Sequence, residues 1–261
     1  MNNGLINNGK IVRQADLTML IRGYKKTDSA SDWRLEGFKD ISDRLNDSDF
    51  PCLFGRHAWK INSLLFTFVS HQEMLHNMLE SMRAFIDRTH NTRPEERLYS
   101  PLVMIFEPSD FESLDAAHLF AWQRLQEMHD GDLHSWPDAI PDSPDDSAWS
   151  FCFGGTELFI NISCPGHKRF RSRNLGQRVV FIINPRAHFD ILASHQDIKG
   201  IKVREKIRMR VRNYNNGHIP DELGFYGDEN NLEWKQYQLR EPGAAEFSRC
   251  PLHIHKEKKK S

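Results

Sequence analysis

Apolar side chains at Leu64, Leu65, Phe68, Leu75, Met78, Leu79, Met82, Phe85 and Ile86 recur in steps of three and four. That spacing predicts one long amphipathic helix from Ala58 to about Arg88, with a greasy stripe along one face. A second helix is expected after Pro108, where Ser109 and Glu112 stand like a capping box and Phe111, Leu114, Leu119, Trp122 and Leu125 mark a buried side. Between the two, Leu102-Val-Met-Ile-Phe106 is a short continuous apolar run and reads as a buried strand. Further strands are predicted over Trp149–Phe153, Leu158–Ile162 and Val179–Ile183, the first two joined by Gly154-Gly155 as an antiparallel hairpin.

Residues 201–214 fit two templates. As a strand, Lys202, Arg204, Lys206, Arg208, Arg210 and Arg212 would crowd six positive charges onto one face. As a helix, Val203, Ile207, Val211 and Tyr214 align, and Arg, Lys and Glu favour helices, so a helix is predicted, ended by Asn215-Asn216-Gly217. The stretch Gly131–Ser147 carries Pro137, Pro141 and Pro144 among acids that run from Asp130 to Asp146, and is expected to be a surface loop or lid. With no internal repeat and no evident linker, the expectation is one α+β domain: a small antiparallel sheet with long amphipathic helices packed on it. Residues 1–30 would be a polar segment, 31–245 the domain, and 246–261 a basic tail whose residues Lys256 to Lys260 are expected to be solvated.

Composition narrows the class. The 261 residues are 39% apolar and 27% charged, which suits a globular chain. Lys and Arg number 35 against 36 for Asp and Glu, a net charge of −1 that removes the overall pull of a general nucleic-acid binder. No apolar run is long enough for a membrane span. Four cysteines without a C-x-x-C pair, and a start without the pattern of a secretory signal, point to a reduced, cytoplasmic setting.

Motif chemistry excludes more than it grants. His71-Gln-Glu-Met-Leu-His76 has its histidines five apart, so on a helix they diverge by roughly 140° and do not share a metal. No Walker loop, G-x-G-x-x-G or G-x-S-x-G occurs. The informative stretch is Cys164-Pro-Gly-His-Lys-Arg-Phe-Arg-Ser-Arg-Asn-Leu-Gly176, with His167 and four cations between two predicted strands. Such a loop could hold a phosphate, a carboxylate or porphyrin propionates, or simply be a solvated basic loop. His167 could be a metal ligand or a general base. In Phe50-Pro-Cys-Leu-Phe-Gly55, Cys52 reads first as a small buried side chain and second as a reactive or metal-binding thiol. Phe151, Phe153 and Phe159 read as core, or as a wall against a flat cofactor.

Taken together, Pro51-Cys-x-Phe-Gly55, the Phe151-x-Phe-Gly-Gly…Phe159 hairpin, and the His167…Arg-Ser-Arg173 loop with Asn184-Pro-Arg186 and Phe189-Asp190 resemble the YqcI/YcgG family. The closing Leu223-Gly-x-Tyr-Gly-Asp228…Asn231-x-Glu-Trp-Lys-Gln-Tyr237 is similar too, so the resemblance runs from about residue 35 to 240. It implies a haem-dependent N-oxygenase that hydroxylates a guanidino nitrogen of arginine or an arginine-derived compound in a natural-product pathway. The implied cofactor is haem b, with His167 as axial ligand and Cys52, Cys152 or Cys164 as the rival. Arg169, Arg171 and Arg173 would then meet propionates, and Phe54, Phe151, Phe153 and Phe159 would contact the ring. Glu157, Asp190 and Asp228 are the expected acidic partners of the guanidinium, and Arg186 the partner of a substrate carboxylate. Dioxygen or peroxide would be the oxidant and an external reductase the electron source, with no nucleic acid or membrane involved and a homodimer compatible. The family pattern has Tyr-Asp after the basic helix and His-Pro before the Leu-Gly, where this chain has Tyr214-Asn215 and His218-Ile-Pro220, so substrate identity does not carry over.

Overall fold

The computed structural model describes residues 6–23, 32–194, 196–224, 231–245 and 247–256. Six strands form one mixed sheet: β1 (Val12–Arg13), β2 (Leu65–Val69), β3 (Leu102–Phe106), β4 (Phe151–Phe153), β5 (Thr156–Ser163) and β6 (Val180–Pro185). Their order is β1-β2-β3-β6-β5-β4. Four of the five pairings are antiparallel, but β2 runs parallel to β3, a pairing that needs the intervening crossover of helices. The α+β domain is as expected, and its sheet, expected to be antiparallel, is mixed at that one pairing.

That correction traces to the segment read as one long helix. It is three elements: α3 (Leu53–Lys60), β2, and α4 (Met74–Asn91). Asn62 adopts a left-handed φ of 54° and ends the first helix. Beyond it, every residue of β2 is buried. A central strand covered on both faces is apolar throughout, and its run imitates helical spacing. The second helix, α6 (Leu114–Asp130), begins later than expected, because Ser113 supplies the cap: its Oγ accepts from Ala116 N at 3.1 Å.

The other elements follow the sequence closely. Gly154 and Gly155 both take positive φ (58° and 72°), as the tight hairpin between β4 and β5 requires. The helix α8 (Ile198–Tyr214) is capped by Asp197 and closed where Gly217 N donates to Arg212 O at 2.8 Å.

Side chains alternate across the sheet and build two cores. On one face Leu102, Met104, Phe106, Leu158, Ile160, Ile162, Phe181 and Ile183 pack under α4 and α6. On the other, Phe66, Phe68, Val103, Ile105 and Val180 pack under α1 (Gln14–Gly23), α2 (Trp33–Asn46), α3 and Tyr214 of α8. Both ends of the chain join in. Leu17 of α1 is fully buried, and Cys250 and Leu252 are core residues, while His253 N and His255 N bond Gln126 Oε1 (2.8 Å) and His129 Nε2 (2.9 Å) of α6. Residues 247–256 are thus a docked strap, and the expected solvated tail, Lys256 to Lys260, lies outside the described residues beyond Lys256. The proline- and acid-rich stretch is anchored too: Trp136 stacks on Trp149, and Asp132 Oδ2 accepts from Gly154 N at 2.8 Å. No helix among the described residues is long and apolar enough to cross a membrane.

Candidate active site

The second core is interrupted by a cavity of about 220 Å³ that is open at its mouth. Its floor is the sheet, where Phe159 and Asn161 of β5 and Ile182 and Asn184 of β6 face upward. Its cover is Ile41 and Leu45 of α2, Phe50, Pro51, Cys52 and Gly55 before and at the start of α3, and Ile207 and Val211 of α8. The alternation explains a burial anomaly: Phe159, Asn161, Ile182 and Asn184 are partly exposed on central strands, while Leu158, Ile160, Ile162, Phe181 and Ile183 between them are buried. No hydrogen bond from another described residue reaches the side chains of Asn161 and Asn184, so their amides are presented to the cavity.

Each motif of the resemblance contributes to this wall: Pro51, Cys52 and Gly55 from the first, Phe159 from the hairpin, Ser172 and Arg173 from the basic loop, Asn184 and Phe189 from the next, and Leu223 from the last. Cys52 is the N-cap of α3, its Sγ accepting from Gly55 N at 3.2 Å. Its accessible side opens into the cavity. Surrounding protein raises the thiol pKa, opposed by the N–H groups of Gly55 and Phe54 and by the Arg173 guanidinium. A Cβ at position 55 would sit 3.2 Å from that sulfur, so glycine there lets the chain close around the thiol.

Arg173 is the buried cation of the site. Its Nη2 donates to Gln236 O (2.9 Å) and its Nη1 to Tyr237 O (3.3 Å), and no carboxylate pairs with it among the described residues. Burial lowers its pKa to about 10, an effect the Cys52 and Glu222 charges oppose. A guanidinium held only by carbonyls in an apolar wall is a receptor for an anion. The carbonyls come from α9 (Glu233–Tyr237), which is locked by a buried knot: Glu233 Oε1 accepts from Tyr237 OH (2.6 Å) and Ser150 Oγ (2.7 Å), and Tyr237 OH accepts from Phe151 N (3.0 Å).

The remaining expected site residues lie elsewhere. Phe151 and Phe153 sit on the opposite sheet face, because Phe151 pairs with Leu158 and not with the cavity-facing Phe159. They are core and do not line this cavity. Phe54 is half-buried on α3 and is not part of the cavity lining. Arg169 and Arg171 are exposed, the latter stacked 4.9 Å over the Tyr214 ring. Arg186 is taken up by its neighbours: Nη2 lies 2.6 Å from Asp190 Oδ2 and Nε 3.4 Å from Glu157 Oε2. The three residues satisfy one another instead of waiting for a substrate. Asp228 falls outside the described residues. The acidic stretch 130–146 lines no part of the cavity, and its Trp136 belongs to the other core, so it is no lid for this site.

His167 is buried but not on the cavity, and both its nitrogens are engaged. Nδ1 lies 2.9 Å from Glu241 Oε1, and Nε2 lies 3.3 Å from His118 Nε2. Burial lowers the pKa of both rings, that of His118 to about 3. With both neutral, the hydrogen-bond pattern assigns Nδ1–H of His167 to Glu241 and Nε2–H of His118 to His167, leaving the buried His118 Nδ1 as a bare lone pair. Glu241 also accepts from the N–H groups of Lys168, Arg169 and Phe170, so this cluster pins the basic loop to the C-terminal segment. Sequence reading missed Glu241 and His118, which no spacing ties to His167. Asn161 did leave a signal, a lone amide in the apolar run Leu158–Ile162. Among the described residues no group of three or more His, Cys, Asp or Glu side chains could hold a metal ion.

The YqcI/YcgG family profile matches residues 41–253. A Streptomyces lavendulae protein named "Putative N(omega)-hydroxy-L-arginine synthase DcsA" is 36% identical over 229 residues, covering 86% of each chain. Two Bacillus subtilis proteins, YqcI and YcgG, are 31% and 30% identical, covering 84% and 85% of this chain and 87% and 88% of theirs. No solved structure matches the chain.

Proposed function

This chain belongs to the YqcI/YcgG family, and from that premise we propose that it is a haem-dependent N-oxygenase acting on a guanidino nitrogen of arginine or a related compound. The observation that carries the reading is the convergence of the family's motifs on one apolar cavity that holds, among the described residues, the Cys52 thiol and the Arg173 guanidinium, which has no carboxylate partner there. The name of the Streptomyces relative supports the substrate class.

The residues fit the cofactor. Haem needs one protein ligand, an apolar slot and a cation for its propionates. Cys52 is the side chain that would meet the first need, since its residue lines the cavity; burial raises its thiol pKa, and the Gly55 N–H and the Arg173 guanidinium act against that rise. His167, expected from the resemblance, has no free nitrogen to offer. Arg173 would take a propionate, and Phe159, Ile182, Leu45 and Val211 would enclose the ring. Bound there, haem would activate dioxygen or peroxide for oxygen-atom transfer. The chain's own part is to bind and orient. Asn161 and Asn184 line the cavity with amides whose oxygens would accept guanidino N–H groups without neutralising the substrate, and the aliphatic cover would keep bulk water from the reacting nitrogen.

Protein produced with a haem precursor is expected to show a Soret band and to add one oxygen atom to arginine or an analogue, read by mass. Cys52→Ala should lose or strongly weaken the haem, whereas His167→Ala should keep it if the fold survives. Full haem with an unaltered spectrum in Cys52→Ala would remove the thiolate from the reading. A colourless protein that leaves every guanidino compound unchanged would remove the oxygenase itself.

A further inference from the structure

α8 covers the cavity with one face and is heavily cationic on the others. Its seventeen residues include seven Lys or Arg and one acid, Glu205, in a chain whose net charge is −1. Two of the seven are structural: Arg204 donates to Ala193 O and Gly224 O, and Arg210 to Ser48 O and Phe50 O. Lys199, Lys202, Lys206, Arg208 and Arg212 have no ion-pair partner among the described residues. Lys199, Lys202 and Lys206 follow one helical stripe, and Ile198 and Met209 stand beside it 70% and 58% exposed. The pattern repels itself, because Lys202–Lys206, Arg204–Arg208, Lys206–Arg210 and Arg208–Arg212 are all like-charge neighbours one turn apart. At the helix end, Arg171 on the Tyr214 ring joins the basic loop to this surface, and Arg44 Nη1 lies 3.4 Å from Tyr214 OH.

A solvated helix would not need so biased a face or two bare apolar side chains within it. Cations around exposed Ile and Met suit an acidic protein, since a protein interface combines an apolar centre with a charged rim. A nucleic acid would be favoured by overall positive charge, which this chain lacks. The location adds a purpose: Ile207 and Val211 of the same helix line the cavity, so only one helix diameter, about 10 Å, separates that face from the site.

We propose that the outer face of α8 docks a small acidic one-electron-transfer protein that supplies the reaction. This rests on the haem reading above. Placing one atom of dioxygen in an N–H bond, to give N–OH, reduces the other atom to water and consumes two electrons and two protons. The partner is oxidised by one electron at each of two encounters.

The test is calorimetric titration of the full chain, with and without haem, by an acidic [2Fe–2S] ferredoxin and separately by an acidic flavodoxin, at about 20 mM and about 200 mM salt. Binding of either, lost at the higher salt and weakened roughly tenfold or more in Lys199→Glu/Lys202→Glu/Lys206→Glu, is the expected result. The triple variant should keep the wild-type circular dichroism and Soret band. No binding by either protein at low salt, binding indifferent to the triple variant, or tighter binding of duplex DNA or RNA through the same lysines would overturn the proposal. Absence of haem or of N-oxygenation overturns the earlier reading instead, because docking is read on the haem-free chain as well.

Discussion

Raising the pH should loosen the seat of Arg173 through a carboxylate that never touches it. Glu233 is buried, and burial lifts its pKa from 4.5 to about 7, against the pull of hydrogen bonds from Tyr237 and Ser150. The folded chain therefore holds this proton more tightly than the unfolded one. The contribution is whole below 4.5 and is lost as pH rises through about 7. The displacement corresponds to about 3 kcal/mol, a substantial part of the stability of an ordinary domain. Its structural price falls on α9, whose carbonyls at Gln236 and Tyr237 hold the Arg173 guanidinium. Denaturant unfolding of the wild type and Glu233→Gln between about pH 5 and pH 8 isolates the effect, since every other titrating group is common to both. The wild type should lose about 2–3 kcal/mol relative to the variant across that range, the remainder having gone below pH 5, and its retention of an anion in the cavity should weaken in parallel. Parallel stability curves would refute the reasoning.

On the acid side the sign reverses. His118 and His188 are held neutral, to about 3 and about 4, mainly by burial, so the unfolded chain takes up protons first as pH falls below 6.5 and stability drops. His188→Gln, which can still accept from Arg97, should flatten that acid limb in a thermal-melt series. Asp132→Ala leaves the buried Gly154 N–H without its acceptor and is expected to cost about 1–3 kcal/mol in denaturant melts, with haem content unchanged because the hairpin turn lies away from the cavity. Cys52→Ala and His167→Ala should part in their haem spectra, and the α8 triple lysine variant should part from wild type only in docking.

Where pattern and environment coincide, the chain announces its structure. The hairpin at Gly154-Gly155, the run Leu102–Phe106 and the cationic α8 were legible because turn chemistry, β-propensity and helical spacing are local properties. The same locality misread β2, since a strand buried on both faces carries no alternation to distinguish it from a helix. Membership of the family and the residues of its motifs were equally present in the sequence. Which of them face one another was not. Phe151 and Phe159 lie in one hairpin, yet register turns one toward the core and the other toward the cavity. Arg186 seemed free for a substrate until folding set it between Glu157 and Asp190, and His167 seemed a ligand until His118 and Glu241, 49 and 74 residues away, closed on its ring. A side chain's chemistry is written in its type, but its availability depends on neighbours brought in by distant segments, and only the packed chain decides those.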